Sequence, residues 1–364
     1  MGFGEYGVCP SRDTQQEMNP ASSSASVAAP LDVVREEPLC AETPREVLQQ
    51  AVTPRESVYV RSNFPTPSLD ASHVIVVRGA VQHPYEVAVH ELAAWPQHEV
   101  LVTMECAGNW RLGMDPVPVG EPWSYGAVST TAWRGVRVAD LLTRAGIAPE
   151  AVELLTIGAD KGERDDSVTP GPVTFARGLP VDAAMHPDTI LATHMDGEPL
   201  TQHHGAPARL IVPGWYGMAS VKWVAAFELI TTPFDGYFQR QRYVYKTAEG
   251  DTPVTRALVK SFLAKPERSA DGRVLTARGW AWSGFGEIAR VQVQVNAGEW
   301  VDAELIPSTS PYAWTGFSLV LDIPAGPVTV RTRATDTAGN TQPDRIEWNS
   351  LGYGNNAVRT FVID

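Results

Sequence analysis

One apolar run that ends at a cysteine constrains the fold of this chain most. Residues 100–104 (VLVTM) are all apolar or β-branched, which is typical of a buried strand, and they lead into the turn-forming sequence Cys106-Ala107-Gly108-Asn109. A thiol is therefore held where a rigid core element becomes a turn, and the small residues after it leave space beside the sulfur. We predict that Cys106 lies at a functional site.

Four roles for Cys106 agree with these residues. A free cysteine is often a small buried hydrophobe. A nucleophilic cysteine needs a histidine base, which His203 or His204 can supply. A zinc site is less favoured, because the chain has no CxxC or HExxH motif. The fourth role is a single soft thiolate ligand to a metal that a cofactor mainly holds.

Charge and composition limit the partners of the chain. Its 29 basic and 42 acidic residues give a net charge of −13, which disfavours nucleic acid because phosphate binding needs a basic face. We expect no membrane span, since no apolar run approaches the roughly eighteen residues that one needs. Three scattered cysteines (Cys9, Cys40 and Cys106) are too few for a disulfide framework, which fits a reducing compartment.

The chain divides into three parts by composition. Residues 1–50 are rich in Pro, Ser and Ala without a sustained period, which predicts a disordered or loosely docked tail. That tail shows no export signal, so we expect a cytoplasmic protein. Residues 51–250 form the first globular domain, in which the apolar stripe of Leu141, Leu142 and Ala145 predicts a helix that ends at Gly146.

Residues 251–364 have a different sequence pattern. Short, partly alternating runs are separated by Gly, Pro, Asn and Asp clusters, which indicates a β-sandwich of immunoglobulin type without its disulfide. The predicted strands are 274–282, 288–295, 300–305, 317–321, 328–335 and 358–363.

The residues around Cys106 resemble a family motif. The sequence ECAGNWR (105–111) is similar to the ECAGNRR of the sulfite oxidase family. The resemblance continues in family order through PWSYGAVSTTAWRGVRVADLL (122–142), HHGAPARLIVPGWYGMASVKW (203–223) and QPDRIEWNSLGYGNNAVRTFVI (342–363). It implies an enzyme similar to bacterial, haem-free sulfite dehydrogenases, with molybdenum held by molybdopterin, a pyranopterin.

The resemblance also implies the fold. The expected class is α+β: a mixed α/β sulfite-oxidase-type molybdopterin domain followed by an all-β immunoglobulin-like sandwich. In the family the sandwich makes a homodimer, so residues 251–364 are the expected dimerisation domain.

The resemblance assigns site residues one by one. Cys106 is the expected molybdenum ligand, and Arg61, Arg111 and Arg209 are the expected cationic pocket. Trp123 matches a tryptophan that walls the substrate pocket, and Tyr243 matches an active-site tyrosine, with Tyr245 as the competing assignment. The other expected cofactor-binding residues are Asn63, Asp160, His204, Arg209, Ser220 and Lys222. Lys222 also stands out by itself, because a lysine inside the predicted apolar strand 219–227 needs an anionic partner.

Two positions depart from the family pattern. The family has an Arg-Asn-His triplet, of which Arg61 matches the first member while Ser62 and Asn63 match neither of the others. The family also has a WNLRG motif that lends an arginine to the substrate pocket, and here Leu351 stands in place of that arginine.

These residues predict an enzyme that oxidises sulfite to sulfate by oxygen-atom transfer. Its electrons pass to an external acceptor such as a cytochrome, because the chain has no CxxCH, no cysteine cluster and no GxGxxG motif after a strand. One alternative is another oxo-transfer substrate, such as nitrate or a sulfoxide. A second is a non-enzymatic, degenerate scaffold whose sandwich is an interaction module, although a scaffold has no reason to retain the cofactor residues together.

Overall fold

A computed structural model describes residues 29–164, 171–247 and 250–364. This part of the chain is mostly β-structure, with two short α-helices, α1 (Val138–Ala145) and α2 (Val181–Ala184), and one π-helix (Phe238–Arg242). Short 3-10 helices lie at Val47–Gln49, Arg55–Ser57, Val89–Ala94, Arg111–Gly113, Gln202–His204 and Gly217–Ala219.

The strands of the first part of the chain are β1 (Asp32–Arg35), β2 (Cys40–Glu42), β3 (Val60–Arg61), β4 (Val74–Gly79), β5 (Tyr85–Ala88), β6 (Gln97–Glu105), β7 (Val128–Arg137), β8 (Glu153–Arg164), β9 (Gly171–Pro180), β10 (Ile190–Met195), β11 (Glu198–Pro199), β12 (Arg209–Ile211), β13 (Val224–Ile230), β14 (Val244–Thr247) and β15 (Gly250–Pro253). Those of the second part are β16 (Lys260–Arg268), β17 (Val274–Trp282), β18 (Ile288–Val295), β19 (Val301–Asp302), β20 (Glu304–Ile306), β21 (Thr315–Asp322), β22 (Val328–Asp336) and β23 (Thr360–Ile363).

Two sheets organise the first part, one wholly antiparallel and one mixed. One has the order β11-β10-β7-β6, with β12 also paired to β10, and the other has the order β5-β4-β13-β8-β9. Strand β6 contains the predicted run 100–104 and pairs with β7 along its whole length, ending at the pair Glu105 and Val128. Cys106 therefore follows the last paired residue of a strand whose C-terminal half is buried, as the sequence predicted.

A small antiparallel sheet, β1-β2-β3, packs against this domain. Cys40 and Ala41 in β2 are completely buried, and Cys40 pairs with Arg61 in β3. The prediction of a loosely docked tail over residues 1–50 is therefore wrong for residues 29–50, because β2 is an inner strand of this sheet. The rest of that predicted tail, residues 1–28, lies outside the described residues.

Helix α1 forms where the apolar stripe predicted it. Val138, Leu141, Leu142 and Ala145 are buried, and Gly146 follows with φ of 70°, a conformation that ends helices and favours glycine. The helix lies against the same core as β4 and β13.

The second part is a sandwich of two four-stranded sheets, with orders β16-β17-β21-β20 and β19-β18-β22-β23. Leu263, Leu275 and Phe317 from one sheet share a core with Val291 and Val330 from the other. The division into residues 51–250 and 251–364 stays a prediction, and its boundary falls within β15. No helix in the described ranges is both long enough and apolar enough to cross a membrane.

One buried ion pair joins the sandwich to the strand that ends at the cysteine. The ammonium group of Lys260 in β16 pairs with the Glu105 carboxylate, which also accepts a hydrogen bond from Trp282 Nε1 at 2.9 Å. Both charges are almost completely buried. Removing one partner of such a pair costs about 3–5 kcal/mol, so the sandwich helps to hold the end of β6 in place.

Candidate active site

Cys106 is fixed by hydrogen bonds on both sides of its backbone. Its N–H donates to the Ala127 carbonyl at 2.9 Å, which extends the β6–β7 ladder by one residue, and its carbonyl accepts from Asn109 N at 2.8 Å. The Asn109 side chain donates to Glu105 Oε1 at 3.0 Å and accepts from Ala127 N at 3.2 Å. The turn after the strand is thereby locked, and the position of the thiol is defined.

Cys106 borders two cavities. One is a larger cleft, and the other is a smaller cavity. Arg61, Cys106 and Tyr243 line both of them. Burial raises the pKa of the Cys106 thiol, while Arg61, the Gly108 N–H and Arg111 act in the opposite direction.

The larger cleft gathers every residue predicted to bind the cofactor. Its lining includes Asn63, Asp160, His204, Arg209, Ser220 and Lys222, together with His203. These residues come from widely separated segments of the first part of the chain. Asp160 lies in β8 and Arg209 in β12, whereas the others lie outside the strands.

The backbone around Lys222 differs from the prediction. Lys222 is not inside a strand, because β13 starts at Val224 and Trp223 adopts a left-handed conformation with φ of 51°. The Lys222 ammonium donates to Ser62 Oγ and to the His203 carbonyl, each at 2.8 Å. Burial lowers its pKa well below the usual value, and Arg209 adds to that shift while Asp160 opposes it.

His204 is held by the protein through both ring nitrogens. Nε2 lies 3.0 Å from the Val58 carbonyl and Nδ1 lies 2.7 Å from Thr201 Oγ1. A carbonyl only accepts, so Nε2 donates and Nδ1 accepts from the threonine hydroxyl. Burial lowers the pKa of His204 to about 3, so the ring is neutral. Its ring therefore supports the cleft wall, while the neighbouring His203 faces the same cleft.

Unpaired acceptors mark the larger cleft as a site for a polar ligand. Asn63 Oδ1 and Asp160 Oδ1 are buried and have no hydrogen-bond partner among the residues that the structure describes. Burial raises the pKa of Asp160 to about 6, with Lys222 acting against that shift. Buried acceptors without partners are costly, and the N–H groups of a pterin ring are the donors they lack. The cleft therefore fits the predicted cofactor.

The smaller cavity is cationic. Arg61, Arg111, Trp123 and Tyr243 line it, as the sequence predicted for the substrate pocket. Arg209 does not, since it lies in the larger cleft, with its Nε donating to the Ser220 carbonyl at 3.3 Å. The predicted pocket of Arg61, Arg111 and Arg209 stays a prediction, and the lining of the two cavities favours its first two members.

Sequence reasoning missed three residues of this cavity: Glu121, Arg242 and Tyr353. Arg242 had a visible signal, because it immediately precedes the predicted tyrosine. Burial raises the pKa of Tyr353 to about 12, and the three arginines Arg242, Arg61 and Arg111 work in the opposite direction. The pattern places all three guanidinium groups close to one phenol.

Arg111 is packed against three glycines. A Cβ at Gly108 would come within 2.4 Å of its guanidinium, one at Gly120 within 3.0 Å, and one at Gly352 within 2.8 Å. Its Nε and Nη2 donate to the Leu351 carbonyl at 3.2 and 3.0 Å. The segment that departs from the family motif thus contacts the site through its backbone.

The structure separates the two candidate tyrosines. Tyr243 lines both cavities beside Cys106, and its hydroxyl accepts from Asn63 Nδ2 at 3.3 Å. Tyr245 lines a different pocket with Asn349 and Tyr353. The geometry therefore favours the assignment of Tyr243.

Two family models match the chain. An oxidoreductase molybdopterin binding domain matches residues 63–238, and a Mo-co oxidoreductase dimerisation domain matches residues 252–363. The sulfite oxidase of Gallus gallus is 32% identical over 352 residues, which are 88% of this chain and 75% of that protein. The mitochondrial sulfite oxidase of Mus musculus is 31% identical over 90% of this chain, which spans 64% of the mouse protein.

A solved structure agrees with these matches. The sulfane dehydrogenase SoxCD from Paracoccus pantotrophus superposes with a TM-score of 0.79 and 26% identity, covering 98% of this chain and 93% of that one.

Proposed function

Because the chain belongs to the sulfite oxidase family of molybdenum-cofactor oxidoreductases, we propose that it oxidises sulfite to sulfate. The family match confirms the predicted fold class, enzyme class and cofactor. The balanced reaction is SO₃²⁻ + H₂O → SO₄²⁻ + 2 H⁺ + 2 e⁻. One observation carries the proposal: the Cys106 thiol separates a cleft suited to a pterin from a small cavity lined by three guanidinium groups.

Cys106 is the protein ligand in this proposal, and the larger cleft holds the pterin. Arg209 and Lys222 supply positive charge for the anionic part of the cofactor, while Asn63 and Asp160 accept from its ring. When bound, the molybdenum cofactor supplies the oxygen-transfer and redox chemistry. The protein supplies orientation and charge.

The smaller cavity binds and orients the oxyanion. Arg61 and Arg111 attract it, and their positive charge stabilises the extra negative charge that builds up during the reaction. Trp123, which is only 1% exposed, excludes water from one wall, and this strengthens each electrostatic contact.

Tyr243 is positioned to donate a hydrogen bond beside Cys106. Its oxygen already accepts from Asn63 Nδ2 at 3.3 Å, so its own O–H is directed elsewhere. We assign it the role of holding the reacting oxygen atoms in place and helping to move the protons that the reaction releases.

We also propose a second subunit, an electron acceptor and a location for the enzyme. The dimerisation-domain match supports a homodimer, and light scattering should report twice the chain mass; a monomer would contradict it. An external acceptor such as a cytochrome takes the electrons. We also propose a cytoplasmic location, supported by the free thiol of Cys40.

A second candidate substrate is sulfane sulfur. The similar solved structure is that of a sulfane dehydrogenase, and Leu351 stands in place of the arginine of the family motif. A sulfane compound should therefore be assayed as a substrate, as should nitrate and a sulfoxide, which the sequence predicted as alternatives.

The test is sulfite-dependent reduction of ferricyanide by protein made in a cofactor-competent host, with the rate normalised to molybdenum per chain. We expect saturable turnover with sulfite and slower turnover with thiosulfate as a sulfane donor. Full molybdenum content without sulfite turnover would overturn the proposed substrate. Comparable molybdenum loading in each preparation is the control.

A further inference from the structure

The end of the π-helix places a third arginine in the smaller cavity, and we propose that Arg242 binds the oxyanion and sets the charge that the substrate must carry. The inference rests on the function proposed above. Arg242 is the last residue of the π-helix and immediately precedes Tyr243. Its Nε is buried and has no hydrogen-bond partner within the described ranges.

The three guanidinium groups use their donors differently. Arg111 gives Nε and Nη2 to the Leu351 carbonyl and Nη1 to the Glu121 carbonyl. Arg61 Nη1, like Arg242 Nε, is buried without a partner in the described part of the chain. Arg111 is therefore a charge fixed by backbone carbonyls, whereas Arg61 and Arg242 hold donors that a ligand can meet.

The charges around the cavity select an anion. Glu121 is the acidic residue among the described lining residues, and its carboxylate pairs with Arg35 at 2.7 Å. The three guanidinium charges of this small cavity are then left without a matching anion among the described lining residues. A small dianionic oxyanion balances them, while a neutral sulfoxide does not.

The position of Arg242 compensates for the leucine in the sandwich segment. Leu351 reaches the site through its carbonyl, which holds Arg111, and its side chain is apolar. The sandwich therefore contributes no charge at this point. The charge comes instead from the π-helix, beside the tyrosine that faces Cys106.

The experiment measures sulfate binding to the oxidised holoenzyme by calorimetry, with KM and kcat for sulfite measured in parallel. Losing one charge-assisted hydrogen bond should weaken sulfate binding by Arg242→Gln about ten- to hundredfold. KM should rise by a similar factor while kcat changes by less than about twofold, because binding common to substrate and transition state is lost. The matched control is Arg240→Gln, which removes an exposed charge from the same helix and should match wild type.

The outcomes separate the role of Arg242 from the proposed function. Unchanged sulfate affinity and KM in Arg242→Gln, at wild-type molybdenum content, would overturn the role of Arg242 and leave sulfite oxidation intact. Sulfate binding that depends on Arg242 without sulfite turnover would keep this role and overturn the proposed function. If Arg242→Gln loses its cofactor, Arg242→Lys takes its place: it keeps the charge, loses the Nε donor and should bind sulfate several-fold more weakly than wild type.

Discussion

The larger cleft and the smaller cavity share three residues but differ in the hydrogen-bonding groups they leave unpaired. In the cleft these are acceptors, Asn63 Oδ1 and Asp160 Oδ1, and in the cavity the unpaired group is a donor, Arg242 Nε. Arg61, which lines both, holds another unpaired donor at the boundary. A ligand with N–H groups completes the first site and an anion completes the second.

The two sites also differ in how many of their cationic donors are already bound by the protein. In the cleft, Lys222 and Arg209 already donate to carbonyls and to a hydroxyl of the protein. These side chains are therefore in position without a ligand. In the cavity, Arg111 is held in the same way, so a small rigid anion must be met by the donors of Arg61 and Arg242 that have no other partner in the described residues. The two cavities that border Cys106 thus offer different hydrogen-bonding groups, which supports the proposal of a cofactor site and a separate substrate site.

The Cys106 sulfur borders both cavities, so removing it has the largest expected effect. Cys106→Ser should lower turnover per molybdenum below detection, because the thiolate is the protein ligand that we propose for the metal. Steady-state kinetics and metal analysis check this. The control is Cys40→Ser, which changes the second free thiol of the described residues and should keep its activity per folded chain. Wild-type turnover in Cys106→Ser would refute the ligand assignment.

The next change affects the cleft alone. Asp160→Leu removes an unpaired buried acceptor, and the protein should retain the cofactor at least about tenfold less tightly, since a hydrogen bond to a charged group contributes about 1.5–3 kcal/mol. Pterin fluorescence and molybdenum per chain after dialysis measure this. Asp235→Leu, at an exposed carboxylate, should change neither. Full retention by Asp160→Leu would show that the acceptor faces no ligand.

Two arginines that were predicted to share a pocket can be told apart. Arg111→Lys should raise KM for sulfite about tenfold at unchanged molybdenum content, because a lysine cannot bridge the Leu351 and Glu121 carbonyls. Arg209→Lys should instead lower the molybdenum content and leave KM of the loaded fraction unchanged. Identical effects of the two substitutions would contradict the division into two sites.

The smallest expected effect comes from adding a positive charge at Leu351. Leu351→Arg adds a fourth guanidinium beside three others, and at this half-buried position it should lower KM for sulfite only about two- to fivefold. Salt titration of KM measures the charge contribution. Leu351→Gln, which adds a donor without charge, is the matched control. A fall in KM of the same size in both variants would show that charge is not the cause.

Local patterns predicted much of the fold. The apolar stripe of α1 and its glycine stop needed no tertiary information, and β17 and β18 have the predicted bounds because alternation and turn residues define them. Strand β16 was missed, since its first residue, Lys260, is a buried charge whose partner Glu105 is far away in sequence. Strand β2 was missed for a similar reason, because it is held by distant pairing with β3.

The site, like the fold, has some residues that the sequence predicts and others that it does not. Cys106 and its surroundings follow from a strand that ends in a small-residue turn. The sequence alone does not separate Arg242 from Arg240, because the two differ only in how the π-helix turns them toward the cavity or toward solvent. Lys222 was placed in a strand, because the positive φ of Trp223 that ends the extended run leaves no mark in an apolar sequence.

A crystal structure of the cofactor-loaded protein grown with sulfate tests the central claim most directly. We predict molybdenum at Cys106 Sγ, the pterin ring in the larger cleft against Asn63 and Asp160, and sulfate in the smaller cavity on Arg61 and Arg242. Sulfate bound in the larger cleft, or molybdenum away from Cys106, would contradict the account.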